Sequence, residues 1–277
     1  MKKTFNLVLQ LVFILILLNS CTEYNPWDSQ DSVPFIAPPE IPTEVTNSNY
    51  IYITHNVTLS NKEMRNYTMC FDKTTYAARW VAYPLHSCYL GASDRSEAWA
   101  YDPNFTTSYQ APPRTYGGGW TRGHQIPSAD RTKTLEANKQ TFYMSNMTPQ
   151  DYNYNSGIWL DLESRVRNTY RCNDTLYVVT GAHWDTKNTT IGRYPVPTHY
   201  YKVLLRTRNG NTKKSVYGVP REDLKCIGFW ISHSATGHLN SSYCKSVAEI
   251  ERLTGFTFFP EVDVDKTQFN LSDWGYN

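Results

Sequence analysis

Trp120-Thr121-Arg122-Gly123-His124-Gln125-Ile126-Pro127-Ser128-Ala129-Asp130-Arg131, then Met144-Ser145-Asn146-Met147-Thr148-Pro149-Gln150, then Asn155-Ser156-Gly157-Ile158-Trp159-Leu160-Asp161-Leu162-Glu163 with Arg167 behind it, form the stretch that organises the chain. Its last part has a helical period. Ile158, Leu162 and Val166 recur every four residues, the spacing of one buried helix face, which predicts a helix from about Ser156. Asn155, Glu163 and Arg167 are eight and four positions apart. Because a step of four turns the chain by about 400°, they share a second ridge bearing an amide oxygen, a carboxylate and a guanidinium. Taken alone, Glu163 and Arg167 equally describe an i,i+4 salt bridge on a solvated helix. An isolated Arg-Gly-His equally suits a structural histidine.

Strands surround this stretch. Tyr67–Phe71 and Ala77–Tyr83 read as a hairpin turning at Asp72-Lys73-Thr74. Gln140–Met144, Leu176–Gly181, His199–Leu205 and Cys226–Ile231 read as further strands. Gly117-Gly118-Gly119 reads as a flexible entry to the next strand. A last helix is expected from about Ser246 to Leu253, stopping at Thr254-Gly255. Many turn-separated strands with few helices predict an α+β domain, with a mainly antiparallel central sheet and flanking helices.

The 277 residues are 40% hydrophobic, enough for a real core, and 14% aromatic with 21 Tyr. The net charge of +2 conceals a gradient: residues 51–260 hold 24 basic and 16 acidic side chains between two acidic ends. A moderately basic body is compatible with a polyanionic substrate and equally with ordinary surface charge. Residues 1–20 begin Met1-Lys2-Lys3 and continue into an apolar run of about a dozen residues, short of the about 20 a membrane span needs. This predicts an export signal. Leu18-Asn19-Ser20-Cys21 resembles a bacterial lipoprotein signal, in which Cys21 becomes the lipid-bearing first residue and anchors the chain to a membrane of the cell envelope; a secreted or periplasmic protein without the anchor is the lesser alternative. Residues 21–50, acidic and rich in Pro, read as a tether. The absence of Cys-x-x-Cys spacing argues against a zinc site. Of the five cysteines beyond Cys21, Cys70 with Cys88 and Cys226 with Cys244 are the expected disulfides, leaving one thiol over.

Hydrolysis of a phosphodiester needs a base for the water, a cation for the developing charge and donors to align the phosphate. Histidine suits the first task, and one neutral oxygen ligand among several waters suits Mg²⁺. Arg122-Gly123-His124 with Pro127, Ser145-Asn146-Met147-x-Pro149-Gln150, and Asn155-x-Gly157-x-Trp159-x-x-x-Glu163-x-x-x-Arg167 resemble, in this order, the DNA/RNA non-specific endonuclease family, whose enzymes carry a ββα-metal (His-Me finger) site. Val178-Val179-Thr180-Gly181, Val196–Lys202, Ile250–Pro260 and, upstream, Trp80–Tyr83 extend the resemblance over about 65–260.

The resemblance implies an endonuclease domain over 51–262 with a tail over 263–277. It also implies cleavage of DNA and RNA with Mg²⁺ (or Mn²⁺) to leave 5′-phosphates. His124 would be the general base, Asn155 the direct metal ligand, Glu163 the holder of the ion's waters, and Arg167 a phosphate clamp. Arg122 and Asn146 would shape the site, and Arg95, ahead of Trp99 and Asp102-Pro103, would be a further phosphate contact. The family usually has Asp where this chain has Thr121. That departure supports the alternative, a surface-tethered nucleic-acid or other binding protein of the same fold without catalysis. His183, His199, His233 and His238 are expected in structural or surface roles, and oligomeric state is open.

Overall fold

The computed structural model describes residues 38–276. The expected export signal, Cys21 and most of the expected tether lie outside the described residues. The architecture is α+β, built on a seven-stranded sheet in the order β1-β2-β3-β6-β9-β10-β11, with every neighbouring pair antiparallel. Its strands are β1 (Tyr50–Leu59), β2 (Lys62–Asp72), β3 (Ala77–Leu85), β6 (Leu176–His183), β9 (His199–Thr207), β10 (Leu224–Ser232) and β11 (Cys244–Lys245). Two short pairs stand apart: β4 (Trp120–His124) with β5 (Met147–Asp151), and β7 (Thr190–Ile191) with β8 (Tyr194–Pro195). The helices are α1 (Leu135–Gln140), α2 (residues 152–170) and α3 (Val247–Thr254).

Both faces of the sheet are covered, so the central strands are buried almost throughout and alternate apolar side chains between two cores. One face sends Val81, Tyr83, Val178, Leu204, Ile227 and Phe229 against Ile158, Trp159, Leu162 and Val166 of α2. The other sends Trp80, Val179, Tyr201, Val203 and Leu205 against Val247 and Ile250 of α3 and the following Phe256, Phe258 and Phe259. Helix α3 starts at an N-cap, Ser246 Oγ accepting from the Glu249 N–H at 3.1 Å, and ends at Gly255 with φ 76°.

Several expectations change. Gln140–Met144 is not a strand: Thr134 caps α1, which runs through Gln140, and the strand begins later, at Met147. Helix α2 starts at Tyr152, four residues earlier than its apolar period indicates, because the Asp151 carboxylate accepts the N–H groups of Asn153 and Tyr154. Neither expected disulfide forms. Cys226 belongs to the core beneath α3 and Cys244 to the core beneath α2, on opposite faces of the sheet. Cys70 lies beneath α3, while Cys88 packs with the separate cluster under β1 and α1. The tether ends sooner than residue 50, because Glu40 is fully buried in an ion pair with Arg65. Residues 263–276 do not trail as a tail: Trp274 and Tyr276 are buried in the core beside Tyr170 and Phe229.

Candidate active site

Strands β4 and β5 and helix α2 form one unit seated on the sheet. In β4–β5 the register sets Gly123 opposite Thr148 and His124 opposite Met147. Gly123 is required by a close approach: a Cβ there would lie 2.2 Å from the Gln150 side chain. Buried tyrosines anchor the unit, their rings in the core and their hydroxyls bonded upward. Tyr200 donates to Thr148 Oγ1 at 2.9 Å, and Tyr83 to Asp130 Oδ2 at 2.9 Å.

His124 stands between two edge-on rings, Trp99 at 5.5 Å and Phe142 at 5.0 Å. Its Nε2 is buried without a hydrogen-bond partner among the described residues. Burial first, then the nearby Arg95 and Arg122 charges, push the imidazole pKa down to about 3, against a weaker hydrogen bond to the Arg122 backbone. The ring is therefore neutral at ordinary pH, the form that accepts a proton.

Asn155, in the first turn of α2, reaches β4, the strand that carries His124. Its Nδ2 donates to Thr121 Oγ1 at 3.0 Å, while Thr121 donates to the Gln150 carbonyl at 3.0 Å. The Thr hydroxyl can do both, having one proton and free lone pairs. This fixes which end of the amide faces outward: Oδ1 makes no hydrogen bond to the described residues. Here the helix is irregular, with a π-type segment Asn155–Trp159 and non-helical dihedrals at Gly157 (φ −108°, ψ −113°). A second π-type segment covers Val166–Tyr170. A regular 100° wheel thus does not carry Asn155, Glu163 and Arg167 along one ridge. Their partners do the placing.

Arg167 does not form the i,i+4 pair with Glu163. Its Nε donates to Asp130 Oδ1 at 2.7 Å, and Asp130 is almost wholly buried. Glu163 stands close enough to Asp130, Arg167, Arg95 and Lys202 for each charge to act on it. Crowding by protein raises its pKa, with Asp130 adding to the rise and Lys202 opposing it. Lys202 is fully buried, donates to Thr180 Oγ1 at 3.0 Å and lies 4.5 Å over the Trp159 ring. Burial lowers its pKa. Asp130 and Lys202 join the site only in the fold, because nothing in the sequence separates a buried charge from a solvated one.

The remaining candidates frame these groups. Arg122 donates to the Pro113 carbonyl at 2.6 Å and stacks 3.7 Å over Trp99. Asn146 is fully buried and ties loops together, accepting from the Ile126 N–H at 3.0 Å and donating to the Ile126 and Thr141 carbonyls. Arg95 is half-exposed, donates to Ser128 Oγ at 2.8 Å, pairs with Glu97 and covers Phe142. Away from the site, His233 accepts from the Asp151 N–H at 2.9 Å through Nε2, so its Nδ1 donates to the Pro197 carbonyl at 2.8 Å. That neutral tautomer pins the start of α2. His183 and His199 flank Asp185 against Trp230, and His238 is exposed.

Among the described residues no three His, Cys, Asp or Glu side chains converge as a metal cage. The oxygen donors present, one outward amide and one carboxylate, fit an ion that keeps most of its water.

Two antiparallel strands and a helix, with histidine on the first strand and an amide on the helix, define a unit of the ββα-metal class. The chain belongs to the DNA/RNA non-specific endonuclease family, whose sequence profile matches residues 47–265. It is 31% identical over 223 residues to the mitochondrial nuclease EXOG of Xenopus laevis, a match covering 75% of this chain and 60% of that protein. It is 30% identical over 232 residues to a nuclease of a Nostoc species, covering 80% and 77%. The fold is similar to that in the crystal structure of the EndoG/EndoGI complex, with TM-score 0.59 and 22% identity over 76% of this chain and 87% of that one.

Proposed function

We propose that the protein is a Mg²⁺-dependent endonuclease that hydrolyses DNA and RNA with little sequence preference, leaving 5′-phosphates. The observation that carries this reading is a neutral histidine on β4, its buried Nε2 unpartnered, with the helix amide of Asn155 tied through its nitrogen to Thr121 of the same strand. In this reading the His124 ring takes the proton of the attacking water. Asn155 Oδ1 would hold the ion, with Glu163 beside it binding the waters around it. The ion would supply Lewis-acid stabilisation of the phosphate charge; Mn²⁺ has the same oxygen preference. Arg167, fixed through Nε by Asp130, turns its remaining donors to a phosphate, with Arg95 at the mouth as a second contact. Contacts to phosphate carry no base information, which accounts for weak sequence preference.

Incubation of the purified full chain with plasmid and with RNA, in Mg²⁺ and in EDTA, tests the reading. Cutting of both in Mg²⁺ alone is expected, and cutting of neither would leave the binding-protein alternative. We further infer export and lipid anchoring at Cys21. Cys21→Ala should move the protein from the detergent phase to the aqueous phase on Triton X-114 partition. A variant that stayed in the detergent phase would overturn the anchor.

A further inference from the structure

A second guanidinium stands at the far end of the aromatic surface that begins beside His124. Gly192, with φ 59°, and Arg193 make the tight turn between β7 and β8. The Arg193 side chain is exposed, its guanidinium carbon 4.8 Å from the Tyr76 ring centroid and 5.5 Å from that of Tyr194. Tyr194 is nearly buried and meets Tyr76 edge-on at 5.3 Å and Tyr116 edge-on at 5.8 Å. These rings pack in one cluster with Met144, Met147 and Trp99. Trp99 is the ring that meets His124 and carries the Arg122 guanidinium 3.7 Å above it. The partly exposed rings of this cluster, Trp99, Tyr116 and Tyr76, form a ridge over the buried Tyr194, Met144 and Met147, with one arginine against Trp99 and another against Tyr76.

Among the described residues, no carboxylate lies within ion-pair distance of Arg122 or Arg193. A guanidinium laid on a ring is weakly hydrated and held in orientation; Arg122 gives one N–H to the Pro113 carbonyl and Arg193 bonds the Tyr194 hydroxyl, and their remaining N–H groups can meet a phosphate oxygen. Aromatic faces between such groups suit the bases and sugars of a flexible strand. If Arg193 served only to brace the hairpin, its charge would be immaterial to ligands.

We propose that this ridge is the track of one nucleic-acid strand running away from the scissile phosphate, with Arg193 gripping a phosphate distant from the cut. The inference rests on the endonuclease reading above. It gives that site a substrate longer than a dinucleotide and a preference for strands that extend along the ridge.

The test uses the full chain with His124→Ala, so that substrate survives, and fluorescein-labelled single-stranded DNA and RNA sixteen-mers in a salt series read by anisotropy. Adding Arg193→Gln should weaken both complexes about three- to tenfold at low salt. The slope of log Kd against log salt should fall by about 0.7, the loss of one phosphate contact on a single strand. Arg193→Lys, which keeps the charge, should keep the slope. Unchanged affinity and slope in a folded Arg193→Gln protein would overturn the ridge and leave the nuclease reading standing. Failure of the His124→Ala parent to bind either strand would overturn both. Should the Gln variant not fold, arginine modification by phenylglyoxal with peptide mapping decides: bound sixteen-mer must protect Arg193, and full reactivity in the complex would reject the proposal.

Discussion

Thr121, where the family resemblance leads one to expect Asp, is the hydroxyl that orients Asn155. The Thr side chain accepts from the amide nitrogen and so leaves the oxygen outward. Thr121→Val keeps the shape and removes the acceptor. A Mg²⁺ titration of cleavage should then show about tenfold weaker metal dependence, the lower end for losing a partner that orients a ligand; an identical titration would show that Asn155 needs no such support. His124 and Glu163 are pushed in opposite directions, one down to about 3 and the other up. The base thus remains neutral as pH falls below 6.5, while the carboxylate takes a proton first. Acid loss of activity should therefore belong to Glu163, and the residual rate of Glu163→Gln should hold level through pH 6.5. A residual rate that still halved near 6.5 would return the titration to His124. The sequence singles out Arg-Gly-His and Asn155 as candidates through their order with the motifs that follow. It does not single out Asp130 and Lys202, since a buried charge is written with the same letter as a solvated one.

At the scale of elements, the ββα unit depends on how the loop after His124 is tied to the sheet. Arg131 does this. It is fully buried, donates to Asn66 Oδ1, Asn66 O, Asp130 O and Pro84 O, and stacks with Tyr83 and Tyr89. Arg131→Met would leave several buried acceptors unpaired and cost about 3 kcal/mol or more. Asp130, and through it Arg167, would lose its fixed place. Urea unfolding should show that loss, and Arg131→Lys should not restore it, because an ammonium cannot reproduce the planar fork; a rescue by Lys would contradict this account of the loop. The apolar period of α2 was readable, with Ile158, Leu162 and Val166 all buried. Its start was displaced because the Asp151 cap lies ahead of that period. The expected strand at Gln140–Met144 failed for a similar reason: its apolar residues serve a helix end and the Phe142 wall beside His124.

Across the described molecule, the sheet is a partition between two cores, with Ile41 packed against one and Trp274 and Tyr276 buried in the other. Turn-separated strands with few helices predict an antiparallel sheet, but strand order and the docking of residues 263–276 depend on contacts between distant segments. Trp274→Ala should cost about 3–5 kcal/mol in thermal or urea unfolding. A loss under 1 kcal/mol would restore the view of residues 263–277 as a tail. Burial of Glu40 against Arg65 likewise extends the folded body past the acidic, Pro-rich composition that reads as tether. The account as a whole requires that one imidazole on β4 starts the cleavage. The direct measurement is the initial rate of plasmid nicking in Mg²⁺ by the full chain and by a folded His124→Ala variant. The variant should be slower by at least about 100-fold, the lower range for losing a general base; nicking at the wild-type rate would contradict the account.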